Sequence, residues 1–232
     1  MSKSIIDVQA LVEQFSEAST QQGEALRKAV GEATLKGLQA RELTLKNIKD
    51  VVKTVTAAAT QGAAANPAPA VDVEAMLTKA LAGMDGALLQ AVEANRRALT
   101  QLMDQGATLL DGPLKKAMTD IEKMEDMMFA TIDKAVQGVP APMQSAWSHV
   151  LEAGKAAGTG TGNKAAATIA ELTEQTRAGV REGRAAGMKA AQALMDSYSA
   201  LVSGVLIGMS DALQPQSAAA PKAAPTKDRK KG

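Results

Sequence analysis

Large apolar residues recur at helical intervals along most of the chain, with polar and charged residues between them. In the first segment they step by three, four or seven residues, which is the spacing of a coiled-coil seam. A run of four-residue steps interrupts this spacing and shifts its phase. The seam residues are Leu26, Val30, Leu38, Leu45, Ile48, Val52 and Val55. The pattern predicts a long helical segment over residues 1–60, which would extend roughly 80 Å as one continuous helix.

Proline and glycine clusters divide the remainder of the chain. Asn66-Pro67-Ala68-Pro69 removes backbone donors and predicts an Ala/Pro linker over 61–70. The segments expected after it are a helical hairpin region with a short helix (71–157), a Gly/Thr turn (158–163), a C-terminal helix (164–213) and a disordered basic tail (214–232). Inside the hairpin region the apolar spacing predicts helices over 72–110, 114–137 and 143–157. Asp72 and Asn163 are the expected helix caps.

Composition supports an all-α fold. The chain is rich in alanine and contains one Trp, one Tyr and two Phe in 232 residues. Alanine is the best helix former and is depleted in strands, so sheets are not expected. The expected architecture is an elongated bundle or coiled coil of long amphipathic helices. The apolar stripes are narrow and contain many alanines, so each helix buries little apolar area. We therefore expect the chain to associate, most simply as a homo-oligomer.

No residue cluster suggests catalysis, a metal site or a cofactor site. The absence of Cys excludes disulfides and thiolate metal sites, and fits a cytoplasmic location. The only histidine, His149, has no obvious acid or nucleophile beside it in the sequence. Gly158, Gly160 and Gly162 with Lys164 resemble a phosphate loop superficially, but the P-loop order is absent and no strand precedes it. We interpret this stretch as a turn between helices, and the protein as a non-enzyme.

The clustered acidic residues of the third predicted helix have a similar interpretation. They alternate with lysines, which is typical of a solvated charged face. They are Asp120, Glu122, Glu125 and Asp126.

Two non-catalytic features are more informative. Glycines spaced by four form two ladders in the last predicted helix, and close approach of another helix would explain their cost of roughly 1 kcal/mol each. These helix-packing candidates are Gly179, Gly183, Gly187, Gly204 and Gly208.

Methionines and apolar residues crowd two helices and either fill an ordinary helix interface or bind an external apolar surface. The surface-binding candidates are Met124, Met128, Leu194, Leu201 and Val205.

Charge and hydropathy are uneven at the C-terminal end. Residues 221–232 contain five basic residues and one acidic residue, which gives them a net charge of +4 and leaves −3 for the preceding chain. Residues 197–210 carry no charge but number only fourteen, whereas a transmembrane helix needs about 20 residues. No transmembrane segment and no secretory signal are therefore expected.

Parts of the chain resemble the phasins, bacterial proteins that coat polyhydroxyalkanoate granules. The resemblance lies in the alanine-rich helices without catalytic groups, in the stretch from Gln144-Ser145-Ala146-Trp147 to Ala186-Gly187-Met188, and in the tail Ala220-Pro221-Lys222. It implies a non-enzymatic, oligomeric coat protein at the surface of cytoplasmic storage granules. The residues alone leave open a soluble helical or coiled-coil scaffold that binds only protein partners. They also leave open a nucleic-acid or anionic-surface contact by the tail.

Overall fold

The computed structural model describes residues 7–20, 23–40, 42–65, 72–105, 112–181 and 198–213, which fold into helices joined by short connections. This part of the chain contains no strand, so the all-α prediction is confirmed. The helices are α1 (Val8–Thr20), α2 (Gly23–Gln39), α3 (Leu45–Ala64), α4 (Val73–Asp104), α5 (Gly112–Glu122), α6 (Met124–Val136), α7 (Ala141–Ala157), α8 (Gly160–Arg181) and α9 (Tyr198–Leu213). The predicted tail, 214–232, lies outside the described residues.

The N-terminal region, where the sequence predicts a long helical segment, is folded back on itself as three helices. Helix α2 ends at Gln39, and α3 begins after Thr44, whose hydroxyl accepts a hydrogen bond from the Asn47 N–H at 3.2 Å. Helices α1, α2 and α3 all pack against one another. The predicted seam residues Val30 and Val52 are both buried, and Val30 lies against Gly83 of α4, so their cover comes from the same chain.

Helix α4 is the centre of the fold. Its 32 residues span about 48 Å, and it packs against α2, α3, α5, α7, α8 and α9. As predicted, Asp72 caps it by accepting a hydrogen bond from the Ala75 N–H at 3.0 Å. Its predicted apolar stripe is buried: Leu77, Leu81, Met84, Leu88, Val92, Leu99 and Leu102. The helix ends at Asp104, and residues 106–111 are outside the described part of the chain.

The later elements differ from the prediction in their boundaries. The third predicted helix is divided into α5 and α6 at Lys123. Helix α7 ends at Ala157 and is followed by Gly158, whose φ of 73° favours glycine. Helix α8 begins at Gly160, inside the predicted turn, and its cap is Thr159 instead of Asn163, because the Thr159 hydroxyl accepts a hydrogen bond from the Gly162 N–H at 2.9 Å.

One apolar core joins all the described helices, from Phe15 in α1 to Leu206 in α9. Within it, the Trp147 indole N–H donates to the Thr60 hydroxyl at 2.9 Å, which links α7 to α3. Val8 and Ile207 are the large apolar side chains that stay exposed among the described residues. Contacts within the chain therefore bury most of the apolar stripes that were expected to need an external partner. Helix α9 differs, because part of its apolar surface stays exposed.

Candidate functional site

Helix α9 is fixed to α4 by a polar contact at its first residue. The Tyr198 hydroxyl donates to Asn95 Oδ1 at 2.7 Å, and the Asn95 amide donates to the Ala91 carbonyl at 2.8 Å. Burial raises the pKa of Tyr198, and the negative charge of Asp120 raises it further. The hydroxyl therefore stays protonated at neutral pH and remains a donor, which holds the start of α9 in one orientation.

Apolar packing extends this contact along one side of α9. Val202 and Leu206 follow Tyr198 at steps of four, so the three side chains share a helix face. Both aliphatic side chains are fully buried, and α9 packs mainly on α4 with a smaller contact to α2. The opposite side of the helix must then point away from the body of the protein.

The outward face of α9, defined here by Ala200, Gly204, Ile207 and Gly208, is exposed and uncharged. Ile207 is its large apolar side chain, with 43% of its surface accessible. The predicted surface-binding residues Leu201 and Val205 are half-buried. The outward face, as defined, contains none of the predicted surface-binding residues.

Two of the remaining surface-binding candidates lie inside the fold. The sequence left two interpretations for Met124 and Met128, an ordinary helix interface or contact with an external apolar surface, and both side chains are buried in the core. The reason is that α6 packs against α3, α7 and α8, so its methionine stripe fills an internal helix interface. Leu194 lies outside the described residues.

The glycine ladders also differ from the expectation where the structure describes them. A Cβ added at Gly204 or Gly208 would meet no atom of the chain within 4 Å. These glycines therefore allow no close helix approach inside the protein, and they leave the outward face of α9 smooth. Gly179 lies in α8, and Gly183 and Gly187 are outside the described residues.

The glycine-rich stretch that resembles a phosphate loop is occupied by two carboxylates of the same chain. Asp85 of α4 accepts hydrogen bonds from the Gly160 and Thr161 N–H groups, each at 2.9 Å. Glu125 of α6 accepts from the Thr159 hydroxyl at 2.6 Å and from its N–H at 3.2 Å. These carboxylates take the position that an anion would take at a helix N-terminus. The stretch therefore lies between α7 and the first turn of α8, and its hydrogen bonds fasten α8 to α4 and α6.

Glu93 forms a second link between α4 and α8 that the sequence analysis did not identify. Its carboxylate pairs with Arg96 at 2.7 Å, Arg97 at 2.9 Å and Lys164 at 2.9 Å. The hydrogen bond from Arg96, together with those from Lys164 and Arg97, lowers the pKa of Glu93 far below its ordinary value despite its burial. The spacing of Glu93, Arg96 and Arg97 was a visible signal, whereas the contact from Lys164 was not.

Other charged groups form surface pairs. Lys116 contacts Asp120 at 2.6 Å, and Glu122 and Asp126 are exposed as expected of a solvated face. Glu125 of the same acidic cluster differs, because it is half-buried and binds Thr159. His149 Nδ1 lies 3.3 Å from the Glu74 carboxylate, so the histidine does have an acid beside it, in an exposed pair. Across the described ranges no group of three or more metal-ligating side chains occurs.

The helices that the structure describes include none whose length and apolar character would allow it to cross a membrane.

A family model matches residues 1–215, and the chain belongs to that family, DUF6781, a family of unknown function. Comparison with the curated proteins and with the solved structures found no match.

Proposed function

We propose that this member of the DUF6781 family is a non-enzymatic, phasin-like coat protein that adsorbs to polyhydroxyalkanoate granules, and that α9 is its contact element. The observation that carries the proposal is the outward face of α9, which is exposed and uncharged, with Ile207 at its centre. Such a face gains free energy when it is removed from water. Elsewhere in the described residues the apolar stripes are largely covered, and these parts would stay in water.

This proposal differs from adsorption through many amphipathic stripes. Unfolding the bundle to expose Met124 and Met128 would sacrifice core packing, whereas contact through α9 leaves the core intact. The phasin resemblance supports the choice of a polyester surface, which is uncharged and apolar. The proposed location is the surface of storage granules in the cytoplasm.

The test is partition of the purified protein onto polyhydroxybutyrate particles. Ile207→Asp should lower the partition coefficient by at least about tenfold, because it removes apolar area and places a charge against the polymer. Val8→Asp is the matched control, since Val8 is similarly exposed on α1, with 37% of its surface accessible. Trp147 fluorescence and circular dichroism verify that both variants remain folded. Absence of binding by the natural protein, or equal binding by the two variants, would contradict the proposal.

The closed core also favours a second candidate, a soluble helical scaffold that binds only protein partners. A protein whose large apolar side chains are mostly covered resembles a soluble module more than a surfactant. A scaffold should show oligomers that depend on concentration in sedimentation analysis and do not change when particles are added. Labelled protein that stays diffuse in cells with storage inclusions would favour this candidate over the granule coat.

A further inference from the structure

We infer that α9 is a releasable helix: it is docked on α4 in solution, and at the granule surface it leaves α4 and enters the polymer with all of its sides. The inference rests on the proposed function and adds a second step to it. First contact is made by the outward face of α9 while the core is intact, and release of α9 follows. Helices α1 to α8 keep their packing in both steps.

The composition of α9 does not match its place at the surface of the fold. Residues 198–210 carry no charge, and Asp211, in the last turn, is the only charged residue of the helix. A helix that packs on one side ordinarily carries charged residues on its outer side, whereas a helix that is apolar all round is buried all round. In the docked position Val202 and Leu206 are buried while Ile207 is exposed. The sequence of α9 therefore fits a second environment that covers every side.

The attachment of α9 to the body is of a kind that an apolar polymer can replace. The Tyr198 hydroxyl donates to Asn95 Oδ1 at 2.7 Å, and a hydrogen bond between neutral groups contributes little net free energy. Because residues 199–210 carry no charge, no ion pair can hold this stretch. The apolar packing of Val202 and Leu206 is not directional, so it can be exchanged for contact with another apolar phase.

The side of α4 that α9 covers loses little when it is uncovered. Ala91, Asn95 and Ala98 share one face of α4, since they are spaced by four and three residues, and Tyr198 contacts this face at Asn95. Alanine buries little apolar area and asparagine is polar, so water can cover this face at a lower cost than a face of leucines. The Asn95 amide keeps its hydrogen bond to the Ala91 carbonyl when α9 leaves.

Transfer of α9 into the polymer removes more apolar surface from water than contact through one side. Val202 and Leu206 leave α4 but stay out of water, while Ile207 and its half-buried neighbours become covered. The ends of the helix suit the boundary between polymer and water, because Tyr198 carries a hydroxyl and Asp211 carries a charge. Release therefore gains free energy only where an uncharged apolar phase is present.

A distance measurement in the full chain tests the release. The chain has no cysteine, so spin labels can be attached at Gln101→Cys on α4 and Ala200→Cys on α9, both at exposed positions. Pulsed electron paramagnetic resonance compares the free protein with protein bound to polyhydroxybutyrate particles. The separation should change by about 10 Å or more, one helix diameter. The control pair joins Gln101→Cys to Ala167→Cys on α8 and should keep its separation.

Partition of a variant onto the same particles provides a second test. Tyr198→Phe removes the hydrogen bond to Asn95 and favours the released helix, so the partition coefficient should rise about fivefold. Thr60→Val is the matched control, because it removes the acceptor of the Trp147 indole N–H, another buried hydrogen bond between two helices. This control should leave the partition coefficient unchanged, since α3 and α7 do not separate.

The outcomes distinguish this inference from the proposed function. An unchanged separation of the α4 and α9 labels in the bound protein would overturn the release, and so would an unchanged partition coefficient for Tyr198→Phe. If Ile207→Asp still lowers binding in that case, the contact through α9 stands without the release. Absence of particle binding by the natural protein would overturn both.

Discussion

Gly31 and Gly83 face each other where α2 crosses α4. A Cβ on Gly83 would lie 3.0 Å from the Gly31 nitrogen and would collide with the Arg27 carbonyl oxygen. The backbones of the two helices therefore approach to a distance that no other residue type permits at position 83. This crossing attaches the N-terminal helices to the central helix.

Substitution at this crossing should be costly. Gly83→Ala should lower the free energy of unfolding by about 1–3 kcal/mol, because the collision involves backbone atoms that cannot move independently. Gly86→Ala is the control on the same helix, since a Cβ there meets nothing within 4 Å. It should raise stability by about 0.5–1 kcal/mol through helix propensity. Urea denaturation followed by Trp147 fluorescence measures both, and a stabilised Gly83→Ala variant would refute the close crossing.

Asp85→Ala tests the attachment of α8. The change leaves the N–H groups of Gly160 and Thr161 without their acceptor, and we expect a loss of about 2 kcal/mol in the free energy of unfolding. Asp133→Ala, at an exposed position on α6, should change stability by less than about 0.5 kcal/mol. Similar denaturation midpoints for the two variants would show that the carboxylate does not fasten α8.

Glu93 should make stability depend on pH in the acid range. Its pKa is lowered in the folded protein, so its contribution is fully present above the ordinary value of 4.5 and is lost as the pH falls from there toward the folded value. Glu93→Gln should therefore be less stable than the natural protein by about 2 kcal/mol at neutral pH. The difference should shrink as the pH is lowered below about 4.5. Urea denaturation across this range provides the check, and a constant difference would count against the ion network.

Tyr198 should titrate at an unusually high pH. Burial raises its pKa above the ordinary value of 10.0, so docking of α9 is favoured below pH 10.0 and weakens as the pH rises toward the folded value. Because the chain has one tyrosine, its ultraviolet absorbance reports this group alone. Val202→Asp places a charge in the buried face of α9 and should return the titration to its ordinary value. An ordinary pKa in the natural protein would mean that α9 is not docked.

Much of the secondary structure was predictable because it depends on local properties. Alanine content and helical spacing fixed the all-α class, and Asp72 was recognisable as a cap from its position before an apolar run. The fold-back before Thr44 was not predictable. A heptad seam through Val30 and Val52 shows which side of a helix is buried, but it does not show whether the covering helix belongs to the same chain or to another.

The candidate site was predictable only in part for the same reason. The apolar residues Leu201 and Val205 indicated that α9 could bind a surface. Because this helix is apolar on nearly every side, the spacing of its apolar residues could not identify the exposed face. The deciding contact joins Tyr198 to Asn95 across 103 positions in sequence. Met124 and Met128 carried the same kind of apolar signal and proved to be internal, because three other helices cover α6.

The two carboxylates at the start of α8 imply an order of events during folding. Asp85 and Glu125 precede the backbone groups that they bind by 75 and 34 residues, and α9 likewise docks on a helix made much earlier in synthesis. As the ribosome releases the chain, α4 is available as a template before α8 and α9 emerge. We expect hydrogen exchange on ribosome-bound nascent chains to show protection of α4 amides in chains that are too short to include α8. Helices α8 and α9 would then dock last during synthesis.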